Sequence, residues 1–470
     1  MTTNKDEGKV TSDITVYGAT GFVGKYIVEY LLESALSTSI PIRLVLAGRN
    51  KDKLEQRLKE LEVKGGSTVE MYVADSSDID GLTTMATQTR VVIACAGPFA
   101  RYGTNVVAAC ATSGTDYVDI TGEIFWAAQM RQQFGEAAKK SGCRIISLSG
   151  FDSIPSDLSI FAAVKALRAV RGEGVEIERG TTWHAAKGGG LNSGTVHSAM
   201  GIPIDVKKMF FEGTGSLRKV PFMIDDPLSL THPTLVRHNP DFDKKRNALA
   251  QAEWWNALPS FDGVLASGMS VCFFMAPVNS KVVHASSVAL NYGPNFRYYE
   301  RFVLFSFGSM RALGVFSAIP SLIFQIILAV GTLLLAIPGV SQKALDKFYP
   351  PGLGPPDSLN RMCSCEVYAE VIATAAAPTR DNNVDRAACH IFFKGDPGNL
   401  VTAQVVCEAA LALLYNRPDL PPNSDDGFGT PAELIGEVLL KRLTENKVRP
   451  VEIKTTVQKD APSVNLTLLV

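Results

Sequence analysis

Gly18-Ala19-Thr20-Gly21-Phe22-Val23-Gly24 follows an apolar run, Ile14 to Tyr17, and leads into a segment of helical period, Lys25 to Leu36. Glycine lacks a Cβ. At three positions of such a turn it permits a sharp reversal, close approach of the backbone to a bound group, and tight packing of helix on strand. The helix start adds unpaired N–H groups and the positive end of a dipole, which together suit phosphate. An ordinary tight turn can also carry three glycines. Between the first strand and first helix of an alternating run, however, the trio predicts a dinucleotide held by Gly18, Thr20, Gly21, Phe22, Val23 and Gly24.

That alternation extends from Asp13 to about Val170. Short β-rich runs at Ile14 to Tyr17, Arg43 to Ala47, Val69 to Ala74, Val91 to Ala96, Tyr117 to Ile120 and Arg144 to Leu148 are separated by amphipathic segments such as Trp126 to Ser141. The pattern predicts an α/β fold, a Rossmann doubly wound parallel sheet over residues 13–172 behind a flexible N-terminus, 1–12. Past Gly172 the runs lengthen, at Glu176 to His184, Val271 to Met275 and Val282 to Leu290, and read as strands. A second, mixed α/β domain is expected over 173–395, for substrate binding or dimerisation, with His232 to Ala248 as an exposed loop. Strands near Cys365 to Ala375 and Ala388 to Lys394 belong to it. Residues 396–470, with helices Val401 to Tyr415 and Pro431 to Glu445, are expected to complete the first domain. Thr430-Pro431 fits an N-cap followed by proline at the first helical position.

The end of strand two bears on cofactor choice, because sites for NAD commonly place an acidic residue there for the ribose 2′-hydroxyl. Here the chain reads Ala47-Gly48-Arg49-Asn50. A guanidinium can pair with a 2′-phosphate, so NADP is favoured, with NAD still open because Asp52 and Glu55 lie close by. Asp75 ends strand three, where a carboxylate can meet the adenine amino group. Ala96, Gly97 and Pro98 end strand four, where the backbone passes the nicotinamide ribose.

Hydride transfer also needs a group that polarises or protonates the acceptor. None of the twelve tyrosines has a lysine four residues on, so the proton-donating dyad of short-chain dehydrogenases is missing. No Gly-x-Ser-x-Gly elbow or His-Glu-x-x-His helix occurs either. Polar groups collect at Tyr117 to Glu123, at Gly150 to Asp157 and in the glycine-rich loop Lys187 to His197. Asp152, Lys187 and His197 are the catalytic candidates. Each also has a structural reading: a helix cap for Asp152 (as for Asp157), a solvated loop charge for Lys187, a core histidine for His197.

The net charge is −1 over 470 residues, with 46 basic and 47 acidic side chains, so no field of one sign favours nucleic acid as a partner. Eight cysteines scattered through apolar runs imply reduced thiols and an intracellular protein. Cys363, Cys365, Cys389 and His390 lack usual zinc spacings, and no metal is expected. The N-terminus carries neither a signal-peptide nor a transit-peptide pattern.

Ala312 to Val340 contains no charged residue over 29 positions. As one helix it would reach about 43 Å, more than the roughly 30 Å of a bilayer core. Pro320 and Pro338 are expected to interrupt it, leaving Ser321 to Ile337, about 26 Å long. Arg311, Lys343 and Lys347 could anchor such a segment at headgroups. A buried helix at a domain or subunit interface, including a homodimer's, is the competing reading.

Taken with Ala47-Gly-Arg49, Ala96-Gly-Pro-Phe99, Tyr102-Gly103, Tyr117-Val-Asp-Ile-Thr-Gly-Glu123, Gly150-Phe-Asp-Ser-Ile-Pro-Ser-Asp157, Gly188-Gly-Gly190, Ser193-Gly-Thr195 and Pro351-Gly-Leu-Gly-Pro355, the opening motif resembles the saccharopine dehydrogenase-like oxidoreductases. The resemblance lies with the branch of lipid-droplet proteins and mycobacterial trans-acting enoyl reductases. It implies a Rossmann domain with an inserted mixed-sheet domain, NAD(P)-linked oxidoreductase activity, and association with a membrane or lipid droplet through 312–340. The expected substrate is apolar or lipid-linked. Two alternatives are a non-catalytic lipid-droplet protein using the domain as scaffold or cofactor sensor, and an amino-acid dehydrogenase of saccharopine type. Gly150 to Asp157 departs from the saccharopine branch's motif and disfavours the last.

Overall fold

Strands and helices alternate from Ser12 to Ile146 in a computed structural model that describes residues 10–188, 229–231, 260–262, 268–304, 307–335, 353–374 and 383–462. The order is β1 (Ser12–Tyr17), α1 (Phe22–Thr38), β2 (Arg43–Gly48), α2 (Lys51–Glu60), β3 (Thr68–Val73), α3 (Ile79–Thr87), β4 (Thr89–Ala94), α4 (Phe99–Tyr102), α5 (Thr104–Ser113), β5 (Asp116–Asp119), α6 (Ile124–Ser141) and β6 (Ile145–Ile146). All pairings are parallel, in the order β3-β2-β1-β4-β5-β6. Val91 to Ala94 are buried on both faces, which is why β4 reads as an unbroken apolar run. Strand order reverses between β1 and β4, so the crevice outside their carboxyl ends is the place for a ligand. β6 is shorter than its apolar run because Leu148 takes φ 58° and turns the chain away.

Helix α7 (Ile154–Arg171) carries the chain to a second sheet built from β7 (Ile177–Lys187), β8 (Ser260–Asp262), β9 (Gly268–Cys272), β10 (Arg297–Leu304), β11 (Ser364–Ala373), β12 (Asn383–Lys394) and β13 (Glu452–Pro462). Its order is β13-β12-β11-β7-β10-β9-β8, with β7 and β10 parallel and the other pairs antiparallel. The sheet is therefore mixed. Ile154, Leu158, Ala163 and Leu167 of α7 join Ile14 and Ile27 of the first domain and Val367 and Ile391 of the second in one continuous core.

Two expectations change. Val282 to Leu290 is not a strand but lies almost entirely in helix α8 (Ala276–Ala289). Asn279, Lys281, Val283, His284 and Ser286 are all buried, so the helix has no wet face to produce a 3.6-residue period, and its valines mimic a strand. The C-terminal part also divides. Helices α12 (Thr402–Tyr415) and α13 (Pro431–Thr444) pack on the first domain, whereas β13 pairs with β12 at the edge of the second sheet instead of completing the first. Thr430 and Glu433 form the reciprocal cap that Thr430-Pro431 foretold. The stretch Pro397–Tyr415 is apolar and long enough to cross a membrane, but most of it is buried, as befits a core helix.

The uncharged segment starts at the end of a short helix α9 (Phe307–Leu313) and continues through a 3-10 turn at Gly314–Ser317 and helix α10 (Ala318–Leu335); its last residues, with the break expected at Pro338, lie outside the described residues, and α11 (Asp357–Met362) follows. Pro320 does not interrupt α10. It occupies the first turn, where no N–H is owed to the helix. Ser317, Ser321 and Gln325, four residues apart, face β9: the Met269 N–H donates to Ser317 Oγ at 2.7 Å, Ser321 Oγ donates to the Met269 carbonyl at 3.2 Å, and the Cys272 N–H donates to Gln325 Oε1 at 3.3 Å. The opposite side exposes Phe316, Ile319, Ile323, Ile326 and Val330. The helix turns its polar side to the protein and its apolar side outward.

Candidate active site

The cradle at the start of α1 depends on missing Cβ atoms. Gly18 has φ 97°, and a Cβ there would lie 2.8 Å from the Ala96 nitrogen at the end of β4. A Cβ on Gly24 would lie 2.5 Å from the Gly18 carbonyl oxygen. The Gly18 N–H donates to the Ala47 carbonyl at 2.8 Å and fixes the turn against β2. Gly21 is the N-cap, so the N–H groups of Phe22, Val23 and Gly24 open the helix beside Thr20 and have no partner one turn earlier. This geometry fits a pyrophosphate lying on the turn.

At the ends of β2 and β3 the structure brings Arg49 and Asp75 to the same corner. Arg49 is exposed, and its guanidinium lies 5.9 Å from the centre of the Tyr102 ring. Asp75 Oδ1 accepts from Ser77 N and Ser77 Oγ at 3.0 and 2.7 Å, and these bonds hold its carboxyl below the usual range. Ala96, Gly97 and Pro98 follow β4. The next turn is secured by buried Glu123, which accepts from the Phe99 and Ala100 N–H groups, each at 2.8 Å. Asp119 braces the β5 and β6 loops by accepting from Thr121 N, Leu148 N and Ser147 Oγ, and burial pushes its carboxyl up to about 6.

Asp152 sits on the loop from β6 to α7, at the carboxyl edge of the first sheet and partly accessible. Burial raises its carboxyl to about 6, with His184 acting against the rise and Glu300 adding to it. His184 on β7 and Glu300 on β10 belong to a buried cluster completed by Ser156, Asn279, Tyr298 and Thr182. Lys187 is exposed at the end of β7, and strand alternation puts it on the opposite face from His184. His197 lies outside the described residues. Asp157 is no part of the cleft. Its Oδ2 accepts from the Ala432 N–H at 2.8 Å, capping α13 and not its own helix. Among the described residues no three His, Cys, Asp or Glu side chains gather as metal ligands, and His390 bonds Glu366 at 3.1 Å.

His184, Glu300 and Asn279 escaped the sequence reading. Nothing local could have flagged Glu300, which stands beside Arg301 in a stretch that already carries Arg297. Its partners come from separate elements that only the packed fold brings together.

A family model described as the saccharopine dehydrogenase NADP binding domain matches residues 14–146, the span of the first sheet. A Mycobacterium ulcerans protein named trans-acting enoyl reductase is 30% identical over 449 residues, covering 93% of this chain and 96% of that protein. The chain belongs to the trans-acting enoyl reductase branch of the saccharopine dehydrogenase-like family. A Caenorhabditis elegans relative named lipid droplet localized protein is 41% identical over 151 residues, 32% of this chain and 35% of that one. The solved apo saccharopine dehydrogenase (L-Glu forming) of Saccharomyces cerevisiae is 13% identical, covers 95% of this chain and 100% of its own, and has a TM-score of 0.49. As in the family's domain, residues 14–146 are built for a nicotinamide cofactor.

Proposed function

We propose that this saccharopine dehydrogenase-like protein is an NADP(H)-dependent reductase that saturates a carbon–carbon double bond in a lipid-linked substrate, working at a membrane or lipid-droplet surface. One relationship carries the reading. A stack of rings runs from α10 to the Asp152 loop: Phe324 on Phe302 at 5.7 Å, Phe302 on Phe273 at 5.6 Å, Phe273 on His184 at 4.4 Å, and His184 edge-on to Phe151 at 6.3 Å. The outward apolar helix and the candidate proton donor's loop thus stand at two ends of one continuous stack of rings.

The bound nicotinamide would supply a hydride. Saturation also requires one proton, and the chain's part is to hold it on the Asp152 carboxyl, which stays protonated further towards neutrality than an ordinary aspartate. Arg49, standing where an acidic residue would select the 2′-hydroxyl, favours the 2′-phosphate of NADP. The relatives' names, trans-acting enoyl reductase and lipid droplet localized protein, support the lipid setting.

The test presents enoyl-acyl lipids in vesicles to the purified full chain with NADPH or NADH, and follows cofactor oxidation and product mass. We expect NADPH-linked saturation that Asp152→Asn abolishes while cofactor binding is kept. Tight cofactor binding with no turnover across a broad lipid panel would instead favour a lipid-droplet protein that keeps the domain as scaffold or sensor, the reading favoured by the nematode relative's name.

A further inference from the structure

Arg49 directly follows β2, and Tyr102 ends α4, the helix that follows β4. In the sheet β2 and β4 are the two neighbours of β1, so these residues belong to segments that leave it on either side of the strand carrying the glycine turn. They meet: the Arg49 guanidinium lies 5.9 Å from the centre of the Tyr102 ring, within reach of the attraction between a cation and an aromatic face. Tyr102 is held firmly from behind. Glu123 accepts from the Phe99 and Ala100 N–H groups, each at 2.8 Å, and the Tyr102 N–H donates to the Pro98 carbonyl at 3.1 Å. Gly103 follows with so little room that a Cβ would lie 2.6 Å from the Trp126 ring. Asn105 Nδ2 donates to the Ser76 carbonyl at 2.8 Å and ties the same stretch to the loop that carries Asp75. Arg49 has no such support. It is exposed, and among the described residues its guanidinium has no carboxylate or other acceptor within bonding distance, Asp75 Oδ1 being engaged by Ser77. The ring is therefore the fixed member of the pair and the guanidinium the member it steadies.

We infer that Tyr102 is a positioning residue for cofactor selection: its ring holds the Arg49 guanidinium at the end of β2, where the 2′-phosphate of NADP would lie. The inference rests on the reading of Arg49 as the group that selects NADP. An exposed arginine loses rotamer freedom when it grips a ligand, and a side chain already settled on a ring has less to lose. The kind of support matters as well. A carboxylate would hold the arginine by the same N–H groups that a phosphate needs, whereas an aromatic ring occupies none of them and leaves the charge in place.

The test reads cofactor affinity and needs no turnover: the purified full chain is titrated with NADPH and with NADH, followed by fluorescence. Tyr102→Leu is expected to lower the ratio of NADPH to NADH affinity about two- to fivefold, the size of an exposed cation–π contact. Tyr102→Phe keeps the ring and is expected to stay near the wild type. In an Arg49→Gln background Tyr102→Leu is expected to change the ratio no further, because the partner it steadies is gone. Melting curves establish that each variant is folded, and should Tyr102→Leu fail to fold, Tyr102→Met takes its place. An equal loss for both cofactors, no loss, or the same change with and without Arg49 would overturn the inference. An Arg49→Gln protein that keeps the full preference for NADPH would sink the reading of Arg49 itself, by a separate measurement.

Discussion

Gly354 lies flat against the ring of Phe22, where a Cβ would run into three of the ring carbons. Three residues further on, Asp357 at the start of α11 pairs with Lys25 at 2.9 Å and accepts from the Tyr26 hydroxyl, so the chain entering α11 is clasped over the start of α1. Phe22 is also the first residue of α1, directly after the glycine turn proposed to hold the dinucleotide. Gly354→Ala is therefore expected to cost stability, about 1–3 kcal/mol as overpacking does, and to weaken cofactor binding by displacing Phe22. Thermal melts and calorimetric titration with NADPH check both. If neither changes, the ring yields freely and the clasp does not brace the site.

The glycine turn gives a sharper prediction. Gly24→Ala puts a methyl group 2.5 Å from the Gly18 carbonyl oxygen, and Gly18→Ala forces an alanine to φ 97° against the Ala96 nitrogen. Either change should weaken dinucleotide binding about 100-fold or more, equivalent to roughly 2.7 kcal/mol. Gly142→Ala is the matched control, because its φ is 73° but nothing lies within 4 Å of its Cβ and it is remote from the turn. Comparable losses in all three would mean that strain, not the cradle, controls binding.

The proposed preference for NADP can be tested at Arg49. A charge-assisted hydrogen bond to a 2′-phosphate contributes about 1.5–3 kcal/mol. Arg49→Gln is expected to lose about 10- to 100-fold in NADPH affinity while changing NADH affinity little. Fluorescence titration with each cofactor measures the ratio. Equal losses for both would place Arg49 on the adenine or on the fold, and not on the phosphate.

Why the first domain was legible and the site was not is clear from these residues. Gly18 and Gly24 carry their own requirement, since the conformation and clearance they need are properties of a local turn. β4 is buried on both faces and therefore announces itself as an apolar run. Helix α8 gives the opposite case: with Lys281 and His284 buried on it, no amphipathic period survives, and its valines read as a strand. β13 joins the second sheet through pairings such as Ile453 with Ile391, which no local pattern encodes. His184 and Glu300 meet across 116 residues, so their pairing appears only once β7 and β10 lie side by side.

Asp157 makes a pH-dependent contribution with a definite sign. It is buried, and desolvation lifts its carboxyl from 3.8 to about 7. The folded chain then holds a proton that the unfolded chain releases, so this stabilisation is complete below the unfolded value and is lost as pH rises through about 7. At about 1.36 kcal/mol per unit the loss amounts to a few kcal/mol. Asp157→Asn keeps an acceptor for the Ala432 N–H, removes the ionisation, and should flatten the decline. Asp119 and Asp152 slope the same way, so the difference between variant and wild type isolates Asp157. Denaturant unfolding at mildly acidic and mildly alkaline pH measures it, and parallel slopes for both proteins would discard the assignment.

The outward face of α10 is the last element to test. An amphipathic helix on a soluble protein turns its aliphatic side inward, yet here Ser317, Ser321 and Gln325 occupy that side while Ile319, Ile323 and Ile326 face out. Fully burying such a side chain is worth about 1.5–3 kcal/mol, so replacing all three isoleucines by serine should lower affinity for phospholipid-coated oil droplets more than 100-fold. The inward bonds to β9 are untouched, and cofactor titration should be unchanged. Droplet flotation gives the first quantity and light scattering the alternative occupant. If the wild type fails to float and the triple variant turns a dimer into a monomer, the face joins two copies of the chain, and the lipid surface must be given up.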